Sequence, residues 1–284
     1  MGLSDTLYRL ARPGVKYAQA ALHWKQLTFT SAPPIFGNAK PKSGSHLLTQ
    51  ILGGFCQIAP YTYVDTDPVR TVKATGGRYS AAETLSHLTR IPRGVIGWGY
   101  VDATAENLAF LCQPERVNYF IYRDPRDMLV SHIFFATDMH TGHGMHEYYQ
   151  NLSDFDERLK VAITGIDQDG LYMVSVKQRY EGVFQWLEQP TVLCIRFEEL
   201  INDRERILNQ MLDQVEKTGY KIPTPREQAL ETLLETIQPK KSKTFRSGKT
   251  GEWKKYFKDE HKALFKDVAG DLLVKLGYES NNDW

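Results

Sequence analysis

Three short segments carry the residue types that proteins use to hold a phosphate or sulfate group. Residues 41–45 read Pro-Lys-Ser-Gly-Ser, residues 122–127 read Tyr-Arg-Asp-Pro-Arg-Asp, and residues 245–248 read Phe-Arg-Ser-Gly. Glycine lets backbone N–H groups approach an anion closely, serine hydroxyls donate to it, and lysine and arginine supply positive charge. The segments lie far apart in the chain, so their chemistry depends on the elements that position them.

The first segment lies where a strand, a tight loop and a helix follow one another. Residues 35–39 predict a short strand, and apolar residues between Leu47 and Phe55 recur at helical spacing. Such a unit presents a helix N-terminus to an anion. An ordinary turn capped by serine is the alternative. The spacing of nucleotide triphosphatase loops is absent, which weakens a kinase interpretation. The candidate ligand-binding residues are Lys42, Ser43, Gly44, Ser45 and His46.

The second and third segments add arginines. Residues 117–122 predict a buried strand, and a helix follows from about 125 to 136 with proline in its first turn. Arg123 thus ends a strand, where active-site groups of open α/β sheets gather, and Ser131 lies two helical turns further on. A surface charge cluster that pairs with itself is the alternative. Residues 238–252 predict a mobile loop that carries Arg246, Ser247 and Gly248, with a solvated basic loop as the alternative.

The rest of the chain predicts strands that alternate with helices. Further strands are expected at 95–98 and 191–197, with Phe197 closing the latter as another candidate binding residue. Further helices are expected at roughly 154–164, 172–188, 203–217, 225–237 and 259–276. This pattern predicts an α/β fold with a central parallel sheet flanked by helices. No repeat or clear linker appears, so we expect a single domain over 1–284, with 1–27 as an N-terminal extension.

Composition excludes several classes of function. The 35 basic and 34 acidic side chains almost cancel, which argues against nucleic-acid binding. No run of about 18 apolar residues occurs, which argues against a membrane span. Three widely spaced cysteines predict neither a disulfide framework nor a zinc site and favour a reducing, cytoplasmic location. No metal is expected, and the loose myristoylation pattern of residues 1–6 is interpreted as a coincidence.

Together, and in this order, the three segments resemble the nucleotide-binding set of the sulfotransferases. That family moves a sulfuryl group from 3′-phosphoadenosine 5′-phosphosulfate (PAPS) to an acceptor and releases PAP. Residues 41–45 are similar to its Pro-Lys-Ser-Gly-Thr loop, with Ser45 in place of threonine. Residues 122–127 with Ser131 are similar to its 3′-phosphate motif, in which Arg123 and Ser131 match the two phosphate ligands.

The third segment is similar to the family's Arg-Lys-Gly-x-x-Gly-Asp-Trp sequence. Arg246, Gly248 and Trp253 match it, Ser247 replaces the usual lysine, and Lys249 could supply the lost charge. The resemblance implies a P-loop-like sulfotransferase fold, with PAPS as co-substrate, PAP as product and no metal.

Two departures from the family concern adenine stacking and the catalytic base. Leu47 takes the position of a tryptophan that often stacks on adenine, and Tyr100 falls where the family has its catalytic histidine. Tyrosine has an ordinary pKa near 10 and is a poor base unless a cation lowers that value. Asp102 is the rival base. His87 lies too early in the sequence, and a further pool comprises His132, His140, His143 and His146.

The resemblance implies a cytoplasmic sulfotransferase that acts on a small molecule. Lys42 would stabilise charge on the bridging oxygen, while Arg123, Ser131 and Arg246 would hold the 3′-phosphate. The acceptor could be a secondary metabolite, such as a guanidinium alkaloid of the saxitoxin type. Asp102, Asp138 and Glu147 are candidates to receive its cation. A non-catalytic PAPS- or PAP-binding protein and a small-molecule kinase are the alternatives.

The oligomeric state has its own sequence signal. The family's dimerisation segment, Lys-x-x-x-Thr-Val-x-x-x-Glu, would begin near Lys254 or Lys255, and Lys258 and Asp259 stand where its threonine and valine belong. A charged pair is a poor interface core. We therefore predict no dimer through residues 254–263.

Overall fold

The computed structural model describes residues 15, 17–26, 29–63, 79–168, 170–241 and 246–284. Most of the predicted N-terminal extension, including the myristoylation pattern, and Phe245 of the third segment lie outside the described residues. The chain forms two compact units. Unit 1 comprises Met1–Tyr122 and Trp186–Pro239, and unit 2 comprises Arg123–Gln185 and Lys240–Trp284. The expectation of one domain over 1–284 stays a prediction.

The strands and helices follow one another along the chain as the sequence predicts for an α/β protein. The strands are β1 (Ile35–Ala39), β2 (Thr62–Tyr63), β3 (Val95–Gly99), β4 (Val117–Tyr122), β5 (Ile166–Gln168), β6 (Leu171–Met173) and β7 (Val192–Arg196). The helices are α1 (Ser45–Ile58), α2 (Ala81–Leu88), α3 (Ala105–Leu111), α4 (Pro125–Phe134), α5 (His146–Asn151), α6 (Phe155–Thr164), α7 (Val176–Leu187), α8 (Phe197–Asn202), α9 (Arg204–Glu216), α10 (Arg226–Thr236), α11 (Asp259–Ala269) and α12 (Leu272–Lys275).

Unit 1 is built on a parallel five-stranded sheet in the order β2-β3-β1-β4-β7. Every residue of β1 and of β4 is buried, as expected for central parallel strands covered on both faces. Helix α1 contributes Leu48, Ile51, Leu52 and Phe55 to the main hydrophobic core, which also receives side chains from α9 and α10. The sheet thus holds the loops that follow β1 and β3 at its carboxyl edge.

Unit 2 contains the helices α4, α5, α6, α11 and α12, most of α7, and the β5–β6 hairpin, whose strands are antiparallel. Helix α4 begins at Pro125, and the carboxylate of Asp124 accepts a hydrogen bond from the Arg126 backbone N–H as its N-cap. Residues Phe135–Met139 continue α4 as a π-helical turn. Residues Glu252–Lys255 form a short 3₁₀ helix.

Most predicted elements are confirmed, and the differences have local causes. The predicted strand over 191–197 ends at Arg196, and Phe197 opens α8 instead of closing the strand. Residues 171–173 pair with β5, so the helix expected from 172 begins at Val176. The helix expected over 259–276 breaks at Gly270, where φ is +58°. The sequence pattern did not predict β2, β5, β6, α2, α3 or α8.

The described residues also bear on membrane spans and metal sites. No helix in this part of the chain is long and apolar enough to cross a membrane. Within the same residues, no group of three or more His, Cys, Asp or Glu side chains could hold a metal ion.

Candidate active site

Residues 40–44 connect β1 to α1, and together with Ser45, the first residue of α1, they are called loop 40–45 below. Its backbone enters the left-handed region twice, with φ of +66° at Lys42 and +91° at Gly44. A non-glycine residue in this region is uncommon, and such strain concentrates at binding sites. The Ser43 backbone N–H donates to the Lys40 carbonyl at 3.2 Å, which closes the turn. Because of these backbone angles, the side chains of Lys42 and Ser43 leave the loop in directions that a turn without left-handed residues would not give them.

The N-terminus of α1 has no side-chain cap. Its N-cap residue is Gly44, which has no side chain, and no side-chain oxygen of a described residue accepts from the first-turn N–H groups. The alternative of an ordinary serine-capped turn is therefore wrong. Helix N-termini carry unsatisfied N–H groups and a partial positive charge, so this end of α1 is suited to an anion.

Gly44 is required both by its backbone angle and by its neighbour Phe197. A Cβ atom at Gly44 would lie 2.5 Å from Phe197 Cδ2 and 3.4 Å from Ile121 Cδ1. The predicted candidates Gly44 and Phe197 are therefore in direct contact, although they are more than 150 positions apart in sequence. The Phe197 ring therefore packs against loop 40–45 at Gly44.

We expect Gly44→Ala to lower the free energy of unfolding by about 1–2 kcal/mol, because a non-glycine residue pays that cost in the left-handed region. Displacement of the Phe197 ring would add to it. Chemical denaturation followed by circular dichroism would measure the change. Gly53→Ala in the same helix is the control, because its Cβ meets nothing within 4 Å and helical alanine is favourable. Equal stability of the two variants would contradict this account of Gly44.

The two serine hydroxyls of loop 40–45 have different environments. The Ser43 side chain is fully buried, and its Oγ has no hydrogen-bond partner among the described residues. The Ser45 Oγ lies 2.9 Å from the Tyr100 Oη, and either atom could donate. An unsatisfied buried hydroxyl costs roughly 1–3 kcal/mol, which a bound anion could recover.

Tyr100 is the first residue after β3 and lies half-buried against loop 40–45 through Ser45. Its ring packs edge-on to Trp98, with the centroids 5.6 Å apart. The rival base, Asp102, is exposed, and its backbone carbonyl accepts from Asn107 Nδ2 at 3.0 Å. The structure thus joins Tyr100, but not the Asp102 carboxylate, to the predicted loop by a hydrogen bond.

His46, the second residue of α1, also faces solvent. Desolvation by neighbouring protein atoms, followed by the positive charge of Lys42, lowers the pKa of His46 below its ordinary value. Near neutral pH the imidazole is therefore biased towards its neutral form, in which it can both donate and accept a hydrogen bond.

The charged segment after β4 belongs to unit 2 and is buried. Arg123, Asp124, Arg126 and Asp127 are all at most 7% exposed. The alternative of a surface charge cluster is therefore wrong, although Asp124 and Arg126 do pair with each other at 2.7 Å. Buried charges need partners, and each of these residues has them.

The Asp127 carboxylate binds the backbone of the segment that contains the third motif. Its side chain is 1% exposed, and its two carboxylate oxygens accept from the backbone N–H groups of Gly251 and Trp253 at 2.7 and 2.8 Å. Burial raises the pKa of Asp127, while the nearby Arg123 guanidinium opposes the rise. Arg123 Nη2 also donates to the Lys249 carbonyl at 2.8 Å. Arg123 is thus joined directly to the loop after residue 246.

Arg126 has a structural environment. Its guanidinium lies 3.8 Å from the ring centroid of Trp253 and 4.6 Å from that of Trp284, and it pairs with Asp124 and Glu279. Stacking between two indole rings and pairing with two carboxylates occupy the whole group. Of the two arginines in this segment, Arg123 is therefore the better candidate for a ligand.

The third motif places its polar side chains around Glu252. Arg246 Nη2 and the Ser247 hydroxyl both donate to one carboxylate oxygen of Glu252, and the Arg246 guanidinium lies 4.6 Å from the ring centroid of Phe134 on α4. Gly248 has a φ of +63°. The solvated-loop alternative is too simple, because Arg246 is three-quarters buried. Motif spacing did not identify Glu252 as the partner of Arg246 and Ser247.

Ser131 lies half-buried on α4. No hydrogen bond joins its hydroxyl to Arg123 or Arg246 in the described part of unit 2. The structure thus brings Arg123 close to the third motif. The predicted hydrogen bond from the Ser131 hydroxyl to a phosphate stays a prediction.

The pool of histidines lies around the π-helical turn of unit 2. His132 is buried and packs edge-on to His143, with ring centroids 5.2 Å apart. His146 Nδ1 lies 2.8 Å from the Ala136 carbonyl, and His143 Nδ1 accepts from the Met145 N–H at 3.1 Å. These contacts support packing roles for His132 and His146.

Comparison with known proteins assigns the family. A model of the sulfotransferase domain matches residues 119–277, which is more than half of the chain. The chain therefore belongs to the sulfotransferase domain family and is a sulfotransferase, as the three motifs predicted. No curated protein matches the chain significantly in sequence.

Solved structures agree with this assignment at the level of the fold. A mouse sulfotransferase complexed with PAP is 17% identical, with a TM-score of 0.58, over 87% of this chain and 86% of that one. A retinol dehydratase in complex with androsterone and PAP is 16% identical, with a TM-score of 0.55, over 92% and 85% of the two chains. The predicted fold, a central parallel sheet flanked by helices, is confirmed.

Proposed function

We propose that the protein transfers the sulfuryl group of PAPS to an oxygen or nitrogen of a small molecule. One observation carries the proposal: the uncapped N-terminus of α1 follows a strained loop that contains Lys42 and the unsatisfied, buried hydroxyl of Ser43. Backbone N–H groups, a lysine and a hydroxyl suit the 5′-phosphosulfate. The PAP in the structural neighbours named above supports the choice of nucleotide.

Each predicted site residue has a proposed task. Residues 42–46 hold the 5′-phosphosulfate end, and Phe197 shapes that loop through its contact with Gly44. Arg123, Ser131 and residues 246–248 read the 3′-phosphate, which distinguishes PAPS from ordinary nucleotides. Arginine suits this task because its planar fork binds phosphate oxygens bidentately.

The proposed chemistry is an in-line displacement at sulfur. The acceptor atom forms a bond to sulfur while the bond from sulfur to the bridging oxygen breaks, and PAP leaves with that electron pair. Lys42 stabilises the charge that develops on the bridging oxygen, as preorganised cations do in phosphoryl transfer. The acceptor's proton passes to a base, for which Tyr100 and Asp102 are the candidates.

Tyr100 and Asp102 can be separated by two conservative variants. If Tyr100 is the base, Tyr100→Phe should lose most of kcat with little change in the acceptor KM, while Asp102→Asn costs little. If Asp102 is the base, the two results exchange. Steady-state kinetics with radiolabelled PAPS and unsubstituted phenol, whose hydroxyl stays protonated at neutral pH, would measure both parameters. Full kcat in both variants would exclude both residues and move attention to His140 and His143.

For the acceptor, we propose a cationic secondary metabolite, such as a guanidinium alkaloid of the saxitoxin type, in a cytoplasmic enzyme. The carboxylates of Asp102, Asp138 and Glu147 are exposed and could receive such a cation. Radiolabelled PAPS offered with guanidinium compounds and with neutral phenols of similar size would test this. Sulfation confined to the neutral phenols would sink the cationic acceptor and leave the transfer itself intact.

Because Tyr100 stands where the family has histidine, transfer has to be tested separately from PAP binding. Binding and transfer differ in one readout. A binding protein would hold PAP tightly and transfer no label from PAPS to any acceptor or to water.

We also propose that the protein does not dimerise through residues 254–263. Lys258 Nζ contacts Asp156, and the carboxylate of Asp259, 98% exposed, pairs with Lys262 at 3.0 Å. A dimer interface would have to desolvate these charges, which is costly. Cross-linking followed by mass spectrometry should give no link between two copies of this segment. Such a link between chains would contradict the proposal.

A further inference from the structure

Asn38 is a polar residue at the centre of the unit 1 sheet. It is the fourth residue of β1, its side chain is buried at 2% exposure, and its backbone lies opposite Gly99, the last residue of β3. The parallel backbone ladder between β1 and β3 ends at this pair. The strand residues before it pack in an apolar core, so an amide here needs specific partners.

The Asn38 side chain extends the sheet by one residue. Its Nδ2 donates to the Val101 carbonyl at 3.0 Å, and its Oδ1 accepts from the Val101 N–H at 2.8 Å. The same oxygen accepts from the Ala39 N–H at 3.0 Å. The amide therefore acts as a substitute backbone partner for Val101, which only a side chain with both a donor and an acceptor can do.

Tyr100 lies between the two anchored residues. Gly99 is held by the β1–β3 ladder, and Val101 is held by the Asn38 amide. With its backbone fixed on both sides, Tyr100 reaches the Ser45 hydroxyl at 2.9 Å. Asn38 also holds Ala39, the residue that leads from β1 into loop 40–45.

We propose that Asn38 is a positioning residue that sets the distance between Tyr100 and loop 40–45. The inference rests on the proposed function, because it supposes that Tyr100 and Ser45 serve the sulfuryl-transfer site. Asn38 acts through Tyr100 and does not itself contact Ser45.

A double-mutant cycle tests the proposal. Asn38→Ala should lower kcat about tenfold with radiolabelled PAPS and unsubstituted phenol, whose hydroxyl stays protonated at neutral pH, since misplacement of a site residue by about 1 Å costs up to a hundredfold. In a Tyr100→Phe background, the same change should lower kcat by less than about twofold, because the Tyr100–Ser45 bond is already lost. The Kd for PAP should change less than kcat in Asn38→Ala. Asn38→Ser, which keeps an acceptor, replaces Asn38→Ala if the latter does not fold.

Asn118→Ala is the matched control. Asn118 is also a buried asparagine of a central strand, but its Nδ2 donates to the Leu111 carbonyl, away from Tyr100. This variant should lose stability and keep kcat within about twofold, with effects additive to those of Tyr100→Phe. Loss of kcat in Asn118→Ala equal to that in Asn38→Ala would reduce Asn38 to a general structural residue.

A second double-mutant cycle uses the same variants and measures the unfolding equilibrium constant. It tests this inference independently of the proposed function. The unfolding equilibrium constants of Asn38→Ala, Tyr100→Phe and the double variant should be non-additive by about threefold or more. If the wild type neither binds PAP nor transfers label, the proposed function fails, and the stability cycle still decides whether Asn38 positions Tyr100. Additive effects in both kcat and stability would overturn the inference.

Discussion

Lys42→Ala is expected to lower kcat by a factor on the order of 10²–10³ while the protein stays folded. A cation beside the leaving oxygen acts mainly in the transition state, so the KM for PAPS should change much less than kcat. Lys42 already adopts a left-handed backbone conformation. Because lysine and alanine are both non-glycine residues, the substitution adds no further backbone strain. Turnover of radiolabelled PAPS with p-nitrophenol would measure the effect.

Lys40→Ala is the matched control for the loss of a lysine from the same loop. Lys40 contributes its backbone to the loop, where its N–H donates to the Ile121 carbonyl at 3.0 Å and its carbonyl accepts from Ser43. Substitution of its side chain keeps those bonds, so kcat should stay within a few-fold of wild type. Near-normal kcat in Lys42→Ala would remove Lys42 from the mechanism.

Arg123→Ala and Arg246→Ala should weaken PAP by roughly 10- to 150-fold, which corresponds to about 1.5–3 kcal/mol for the loss of a charge-assisted bond to phosphate. Adenosine 5′-phosphosulfate, which lacks the 3′-phosphate, should weaken much less. Isothermal titration with both ligands would measure the difference. Equal weakening of the two ligands would show that these arginines do not read the 3′-phosphate.

Arg123 and Arg246 of unit 2 differ in the other contacts that their substitution removes. Arg123 also holds the Lys249 carbonyl and faces Asp127, so its removal perturbs the loop as well as the charge. Arg246 lies at the end of the motif and pairs with Glu252, so it is the cleaner of the two variants. Arg206→Ala, an exposed arginine of α9 paired with Asp203, controls for loss of general positive charge and should leave both affinities unchanged.

The sequence predicted the elements whose physics is local. Strand β4 is a mostly apolar run, α1 has helical spacing, and Pro125 opens α4, so each could be found from neighbouring residues alone. Short elements such as β2 and α3 carry too few residues for a pattern. The break of the last predicted helix at Gly270 depends on one backbone angle, which periodicity does not reveal.

The site was predicted less completely than the fold, because its supports are long-range. Gly44 and Ser45 were found from the motif, but the contact of Phe197 with Gly44 and that of Tyr100 with Ser45 join residues distant in sequence. Asn38 was read only as a strand residue. A polar residue inside an apolar strand that precedes a binding loop was the signal that could have identified it.

Glu252 and Asp127 show the same limit in unit 2. Asp127 looked like part of a charge cluster, yet its carboxylate holds backbone N–H groups more than a hundred positions away. Glu252 was not among the predicted site residues, yet its carboxylate accepts hydrogen bonds from Arg246 and Ser247. Motif spacing identified the ligand candidates, and only the tertiary structure identified the residues that hold them.

We expect this protein to bind a nucleotide through its 3′-phosphate, as a sulfotransferase does. The most direct test is a pair of isothermal titrations of the wild type with PAP and with AMP, which differ only in the 3′-phosphate. The account predicts that PAP binds at least about tenfold more tightly, since one charge-assisted contact alone contributes about that much. Equal affinity for PAP and AMP, or tighter binding of AMP, would contradict it.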